Sequence, residues 1–192
     1  MKSDFSSLKA FQQNGGTPEE IANAKADCIY VMGVMGHYVG DAAQPLHITK
    51  HHHGWVGENP EHFTTRRSIH GEVDSYFKYW DQASIDSLMT RVHTAELPAE
   101  ELKMQSGDLF SQITTYLIQQ QAQVRPLYVL DKENKLFGHG DSAKEGREFL
   151  SKQLAIGGQM LGDLWYSAWK SATEDTYLES DLAKRKLAHE KK

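Results

Sequence analysis

Apolar residues recur along this chain at intervals of three and four, the spacing that lays them on one face of an α-helix. Ile21, Ala24, Cys28, Met32, Met35 and Val39 form one such stripe. Its start is marked by Thr17-Pro18-Glu19-Glu20: a threonine cap, a proline in the first turn and an acid three residues after the cap. The stripe predicts a helix from Pro18 that ends before Pro45. Ahead of it, residues 1–16 read as a helix closed by Gly15-Gly16. Gly33, Gly36 and Gly40 are expected to let a neighbouring backbone approach the second helix closely.

The same period continues downstream. Ile69, Val73, Tyr76, Phe77 and Trp80 predict a helix over 61–80, preceded by a loop over 48–60 that holds His51-His52-His53-Gly54 and Gly57-Glu58-Asn59-Pro60. A shorter helix is expected over 84–92. Pro98-Ala99-Glu100-Glu101 opens a long one through Leu102, Leu109, Ile113, Tyr116 and Leu117 to Val124. Residues 126–141, with Pro126, Gly138 and Gly140, read as a connector with a short extended piece at 127–130. Ser142-Ala143-Lys144-Glu145 has the form of a capping box ahead of Leu150, Leu154, Gly157, Leu161, Leu164, Trp165, Ala168 and Trp169. The segment 173–192 is a charged tail with the look of frayed helix. No period-two strand of useful length interrupts these stripes, so the predicted class is all-α, as a single domain over 1–192.

Composition narrows the picture without redirecting it. A chain of 192 residues suits one domain with its own core. No apolar run reaches the ~20 residues of a membrane span, so stable membrane insertion is not expected. Met1-Lys2-Ser3-Asp4-Phe5 places an acid where an export signal would begin its apolar stretch. The single cysteine, Cys28, rules out an internal disulfide and a cysteine-based zinc site, and its place on an apolar stripe assigns it to the core. A net charge of −5 argues against gripping nucleic acid by side-chain charge alone. It leaves open an enzyme that meets phosphates through metal ions, which bring their own positive charge.

The chemistry concentrates in two His-x3-Asp pairs, His37/Asp41 and His70/Asp74, with His47 following Gln44-Pro45-Leu46. An i, i+4 pair sits on one helix face, close enough to share an ion, and imidazole with carboxylate is a ligand set that suits zinc. Ile69, Val73 and Phe77 flank the second pair, which sets its face beside the buried stripe. A lone pair of this kind reads as a surface contact. Two pairs and a proline-anchored histidine together read as a site for more than one metal ion.

These residues resemble a known family. His37-Tyr38-Val39-Gly40-Asp41-Ala42-Ala43-Gln44-Pro45-Leu46-His47 is similar to the H-x-x-G-D-x-x-Q-P-x-H signature of the zinc-dependent phospholipase C and S1/P1 nuclease superfamily. His70-Gly71-Glu72-Val73-Asp74 resembles the element that follows it. The closing aspartate and the long separation from His47 to His70 look more like the nuclease branch. Leu164-Trp165-Tyr166-Ser167-Ala168-Trp169 is similar to the closing helix of that fold.

The resemblance implies an all-helical fold, three zinc ions in a cleft, and hydrolysis of phosphodiesters in single-stranded nucleic acid or nucleotides, with the ions as Lewis acids and source of the nucleophile. By its terms His37 and Asp41 serve a zinc pair that Asp41 bridges, while His47, His70 and Asp74 hold the third zinc. It also implies a secreted or periplasmic protein. Asn59 stands roughly where the nucleases carry a phosphate-contacting Gly-Gly-Asn, although Glu58 replaces the second glycine. His51, His52, His53 and His62 read as solvated loop histidines ahead of contacts to metal or substrate, His93 and His139 as structural or exposed, and Arg66 and Arg67 as helix-surface cations ahead of phosphate contacts. Trp55 is open between stacking on a base and packing its own loop.

The chain departs from the family upstream of His37. Family members complete the zinc pair with N-terminal ligands, whereas here no histidine precedes His37, and Asp4 and Asp27 have no ligand-like context. One fully liganded zinc is therefore expected, with little activity from this polypeptide alone. Two explanations stand: the C-terminal part of a longer secreted enzyme, or a diverged helical domain that keeps one zinc. A phospholipase C acting on phosphocholine-type lipids is the neighbouring alternative.

Overall fold

The computed structural model describes residues 1–80, 82–102, 104, 108–138 and 143–190, and every regular element among them is helical. In chain order these are α1 (Lys2–Asn14), α2 (Pro18–Ala43), α3 (Ile69–Ser75), α4 (Gln82–Met89), α5 (Pro98–Glu101), α6 (Leu109–Gln121), α7 (Val124–Lys132), α8 (Lys144–Lys170) and α9 (Thr176–Glu190). Single turns of 3-10 helix follow α2 and α3, at Pro45–Ile48 and Tyr76–Tyr79. No helix among the described residues is long and apolar enough to cross a membrane.

The two longest helices, α2 and α8, form the frame. Thr17 and Glu20 cap α2 reciprocally, the hydroxyl accepting from the Glu20 amide and the carboxylate from the Thr17 amide. A Cβ on Gly157 of α8 would stand 2.7 Å from the Cβ of Ala43, so the helices meet there at a distance only glycine permits. The close approach expected of the α2 glycines is thus supplied from α8. Gly36 meets Leu161 at an ordinary 3.5 Å, and Gly33 and Gly40 have open space beside them.

Two apolar clusters fill the frame. One gathers Leu46, Phe63, Ile69, Val73, Leu127, Tyr128, Leu136 and Leu150 beneath the loop and α3. Each fully buried leucine or isoleucine there is worth about 1.5–3 kcal/mol of transfer from water. The other gathers Val39, Ala42, Tyr116, Met160 and Leu164 between α2, α6 and α8.

Four boundaries differ from expectation. The helix placed over 61–80 begins only at Ile69, because Asn59 and Trp55 hold the preceding residues in a folded loop through Phe63 and Thr64. The helix placed from Pro98 to Val124 is two helices, the second capped by Asp108 accepting from the Ser111 amide. The connector with its extended piece is helix α7: Pro126 sits in the first turn, where its missing N–H costs nothing, and Val124, Leu127 and Tyr128 are buried. The charged tail contains the regular helix α9, which packs along α1 through buried Leu182 and pairs Arg185 with Glu20 at 2.8 Å. Ser142 of the presumed capping box and His139 lie outside the described residues.

Candidate metal centre

Each of three candidate ligands directly follows a fully buried residue. Leu46, Ile69 and Val73 are each 0% exposed, and His47, His70 and Asp74 come next in the chain. The anchors lie in the same apolar cluster, so the turn at Pro45–Ile48 and helix α3 are docked to one surface and present adjacent side chains outward. Pro45 starts the turn, and Gln44 caps it, its Oε1 accepting from the Leu46 amide.

The side chains then form a continuous chain of contacts. His37 Nε2 lies 3.4 Å from Asp41 Oδ2, and Asp41 Oδ1 lies 3.2 Å from His47 Nδ1. His47 Nε2 is 3.3 Å from Asp74 Oδ1, and Asp74 Oδ2 is 3.0 Å from His70 Nε2. All five metal candidates are therefore brought together, and His47, His70 and Asp74 converge as a group able to hold an ion. His37 stands apart in environment: its side chain is 71% exposed, against 25% for His47 and 19% for His70.

The donor set fits a metal. His70 Nδ1 lies 3.2 Å from the His52 carbonyl, which assigns the proton to Nδ1 and the lone pair to Nε2. That lone pair faces Asp74 Oδ2 at 3.0 Å and His47 Nε2 at 3.1 Å. Two acceptors so close repel unless a proton or a cation lies between them. Ligands about 2.0–2.1 Å from a tetrahedral zinc stand about 3.3 Å from one another, close to the spacings seen here. Gln44 adds direction, its Nε2 donating to Asp74 Oδ1 at 2.9 Å.

The loop that supplies the His52 carbonyl is held at many points. Gly54 has φ 97°, and a Cβ there would lie 2.5 Å from the Thr65 carbonyl carbon. The Trp55 amide donates to the Thr64 carbonyl at 2.8 Å. The Trp55 ring stacks on His51 at 3.9 Å and 9°, and its Nε1 donates to the Glu58 carbonyl. Trp55 thus packs its own loop. Asn59 uses its amide on Phe63, Oδ1 accepting from the backbone N–H and Nδ2 donating to the carbonyl, both at 2.8 Å. Tyr128 donates its hydroxyl to the His51 carbonyl. Burial pushes that phenol up to about 12, so it keeps the proton it donates.

Histidines crowd the loop side of the centre. The His53 ring is 5.0 Å from His70 and 4.4 Å from His52. Burial lowers the His53 pKa, and the charges of His52, His70 and Arg67 lower it further. Glu72 on α3 is held below its ordinary value: burial acts upward, but hydrogen bonds from Ser68 and Arg66 outweigh it.

Sequence reasoning passed over two participants. Gln44 was visible as part of a motif, but its double use, capping a turn and steering Asp74, needed the position of α3. The His52 carbonyl is backbone and carries no side-chain signal. Comparison with protein-family models, with curated proteins and with solved structures finds no match for this chain. The fold and the site together define an all-helical protein with a candidate His–His–Asp metal centre.

Proposed function

We propose that this chain belongs to a zinc-dependent phosphodiester hydrolase of the S1/P1 nuclease type, acting on single-stranded nucleic acid or nucleotides and secreted. The observation that carries the reading is the convergence of the His47, His70 and Asp74 donor atoms at 3.0–3.3 Å, with His70 Nε2 turned toward the other two. His47, His70 and Asp74 would hold one ion, and His37 and Asp41 would offer donors to the neighbouring zinc pair. Zinc bound there supplies Lewis acidity toward a phosphoryl oxygen and a nucleophile available near neutral pH. The protein's own contribution is orientation. Gln44 and the His52 carbonyl fix Asp74 and His70, and the braced loop keeps that fixation from relaxing.

A second reading, hydrolysis of phosphocholine-type lipids, is favoured by one feature. A cavity of about 910 Å³ runs along α2, α6 and α8, lined by Val34, Met35, Ile113, Leu117 and Leu164, and it reaches Asp41 and His47. An acyl chain would suit such walls. A third, a non-catalytic domain braced by one zinc, needs only the triad.

Elemental analysis paired with an assay separates the three. Turnover by the zinc-loaded chain, expected to be small, should fall on single-stranded oligonucleotides in preference to phosphatidylcholine and should be lost to a chelator and to Asp41→Asn. Cleavage indifferent to zinc removal or to Asp41→Asn sinks the proposal. One bound zinc without turnover on either substrate favours the bracing role.

A further inference from the structure

Tyr128 is 0% exposed, yet its hydroxyl is spent on a loop rather than on the helices around it. The ring packs among aromatics, with centroids 5.3 Å from Trp55 and 5.5 Å from Phe63. The oxygen donates to the His51 carbonyl and takes a backbone hydrogen bond from Gly54. The chain turns between these two residues. They stand three apart, as do the carbonyl and the amide that close a β-turn. Tyr128 thus joins the two ends of the turn from outside it.

The first residue inside that turn is His52, whose carbonyl meets His70 Nδ1 at 3.2 Å and leaves Nε2 its lone pair toward Asp74 and His47. A carbonyl holds a tautomer only as firmly as its own peptide is held. The His51 amide donates to Thr49 Oγ1, the His52 ring meets the Thr49 carbonyl, and the Val56 amide donates to His51 Nδ1. Those bonds lie within the loop and would travel with it. Tyr128 belongs to α7 and to the apolar cluster that also holds Leu46, Ile69 and Val73. Its hydroxyl therefore ties the turn to the same packed body that carries His47, His70 and Asp74.

Resting on the zinc centre of the reading above, we infer that Tyr128 is a positioning residue for it: by bridging His51 and Gly54 from α7, its hydroxyl fixes the His52 carbonyl that keeps His70 Nε2 free for an ion.

Tyr128→Phe keeps the ring and removes the bridge, and two measurements read the result. In zinc-free protein in mildly alkaline solution, nitrogen NMR of the imidazoles should show His70 protonated at Nδ1 in wild type and shifted toward the Nε2–H form in Tyr128→Phe. Zinc affinity in a competition titration should fall about tenfold, the low end for an outer partner of a ligand. Tyr116→Phe is the control, because it removes another buried hydroxyl, one that donates to the Val39 carbonyl at 3.4 Å in the other apolar cluster. It should lower the melting temperature and leave the His70 tautomer and the zinc affinity as they are. The inference is overturned by an unchanged tautomer or an unchanged affinity in Tyr128→Phe, by an equal zinc loss in Tyr116→Phe, or by a wild type that binds no zinc. Hydrolysis is read separately. Zinc binding that depends on Tyr128 without turnover of a single-stranded oligonucleotide leaves this inference standing and removes the hydrolase reading; turnover with a His70 tautomer indifferent to Tyr128→Phe does the reverse.

Discussion

The two His-x3-Asp pairs have the same spacing and opposite surroundings. His70 and Asp74 each follow a residue that is 0% exposed, and His47 does too. The three stand on elements docked to one apolar cluster, beneath a loop fastened from several directions. His37 and Asp41 follow Gly36 and Gly40, on the face of α2 where Tyr38 is 69% exposed, beside an apolar groove. The difference teaches what makes a ligand pair into a site. Helical spacing brings two side chains near each other, but burial of the neighbouring residues and outer hydrogen bonds decide whether they are held.

That contrast is most easily broken by removing one member from each side. Asp74→Ala should take the zinc content of the purified protein from about one ion per chain to almost none, because two imidazoles alone rarely retain zinc. His37→Ala should leave that ion in place. Thermal melts give an independent reading. Free zinc at a hundredfold excess over Kd should stabilise wild type and His37→Ala by about 2.7 kcal/mol and leave Asp74→Ala unmoved. Equal zinc loss in both variants would make the two pairs one inseparable site.

The anchors carry the next largest effect. Leu46→Ala removes a fully buried side chain one residue before His47, and should cost about 2–5 kcal/mol of stability in urea denaturation. Zinc affinity should fall with it, since the turn that aims His47 loses its hold on the core. Ile29→Ser, at a position 69% exposed on α2, should stay within about 0.5 kcal/mol of wild type. A large loss from Ile29→Ser would mean the α2 face is already covered.

How much of this was readable in the sequence follows the same division. The stripe from Ile21 to Val39, and the cap at Thr17, gave α2 nearly to the residue because propensity, capping and burial agree there. The His-x3-Asp pairs were legible for the reason that i, i+4 spacing is a local property. Helix α7 is hidden in the sequence because Pro126 reads as a breaker, although its place in the first turn is permitted. The loop before Ile69 was missed because side chains such as Asn59, by bonding the backbone of Phe63, offer that backbone an alternative to helix. The standing of Arg66 against Arg67 was illegible in principle: identical neighbours in sequence, they differ only in whether Glu72 and Asp131 arrive beside them.

Gln44 sharpens the comparison from the side of the outer contacts. It is the residue between the pairs that donates to Asp74 and caps the turn before His47. Gln44→Leu should weaken zinc binding about 10- to 100-fold in a competition titration, the usual range for an outer partner of a ligand. The loss of the turn cap should show in the melt of the zinc-free protein as a smaller effect, about 1 kcal/mol. An affinity unchanged by Gln44→Leu would place the direction of Asp74 wholly in the packing of α3.

The smallest expected effect concerns pH on the braced side. Glu72 is held below its usual carboxylate range against the upward pull of burial, by hydrogen bonds from Ser68 and Arg66. A carboxylate with a depressed pKa in the folded state adds stability above its unfolded value, and that stability drains away as pH falls through the folded value. Zinc-free wild type should therefore lose melting temperature as pH drops below 4.5, the ordinary value for this group. Glu72→Gln should be less stable near neutrality and show a flatter decline, so that the two curves approach each other in acid. Glu72 is more than a third exposed and its partner Arg66 is shared with Asp131, so the gap at neutral pH should be modest and should shrink with added salt. Parallel curves at all pH values would mean that Asp131 alone holds Arg66 to the fold, and that the bracing of the ligand side ends at the loop rather than extending through α3.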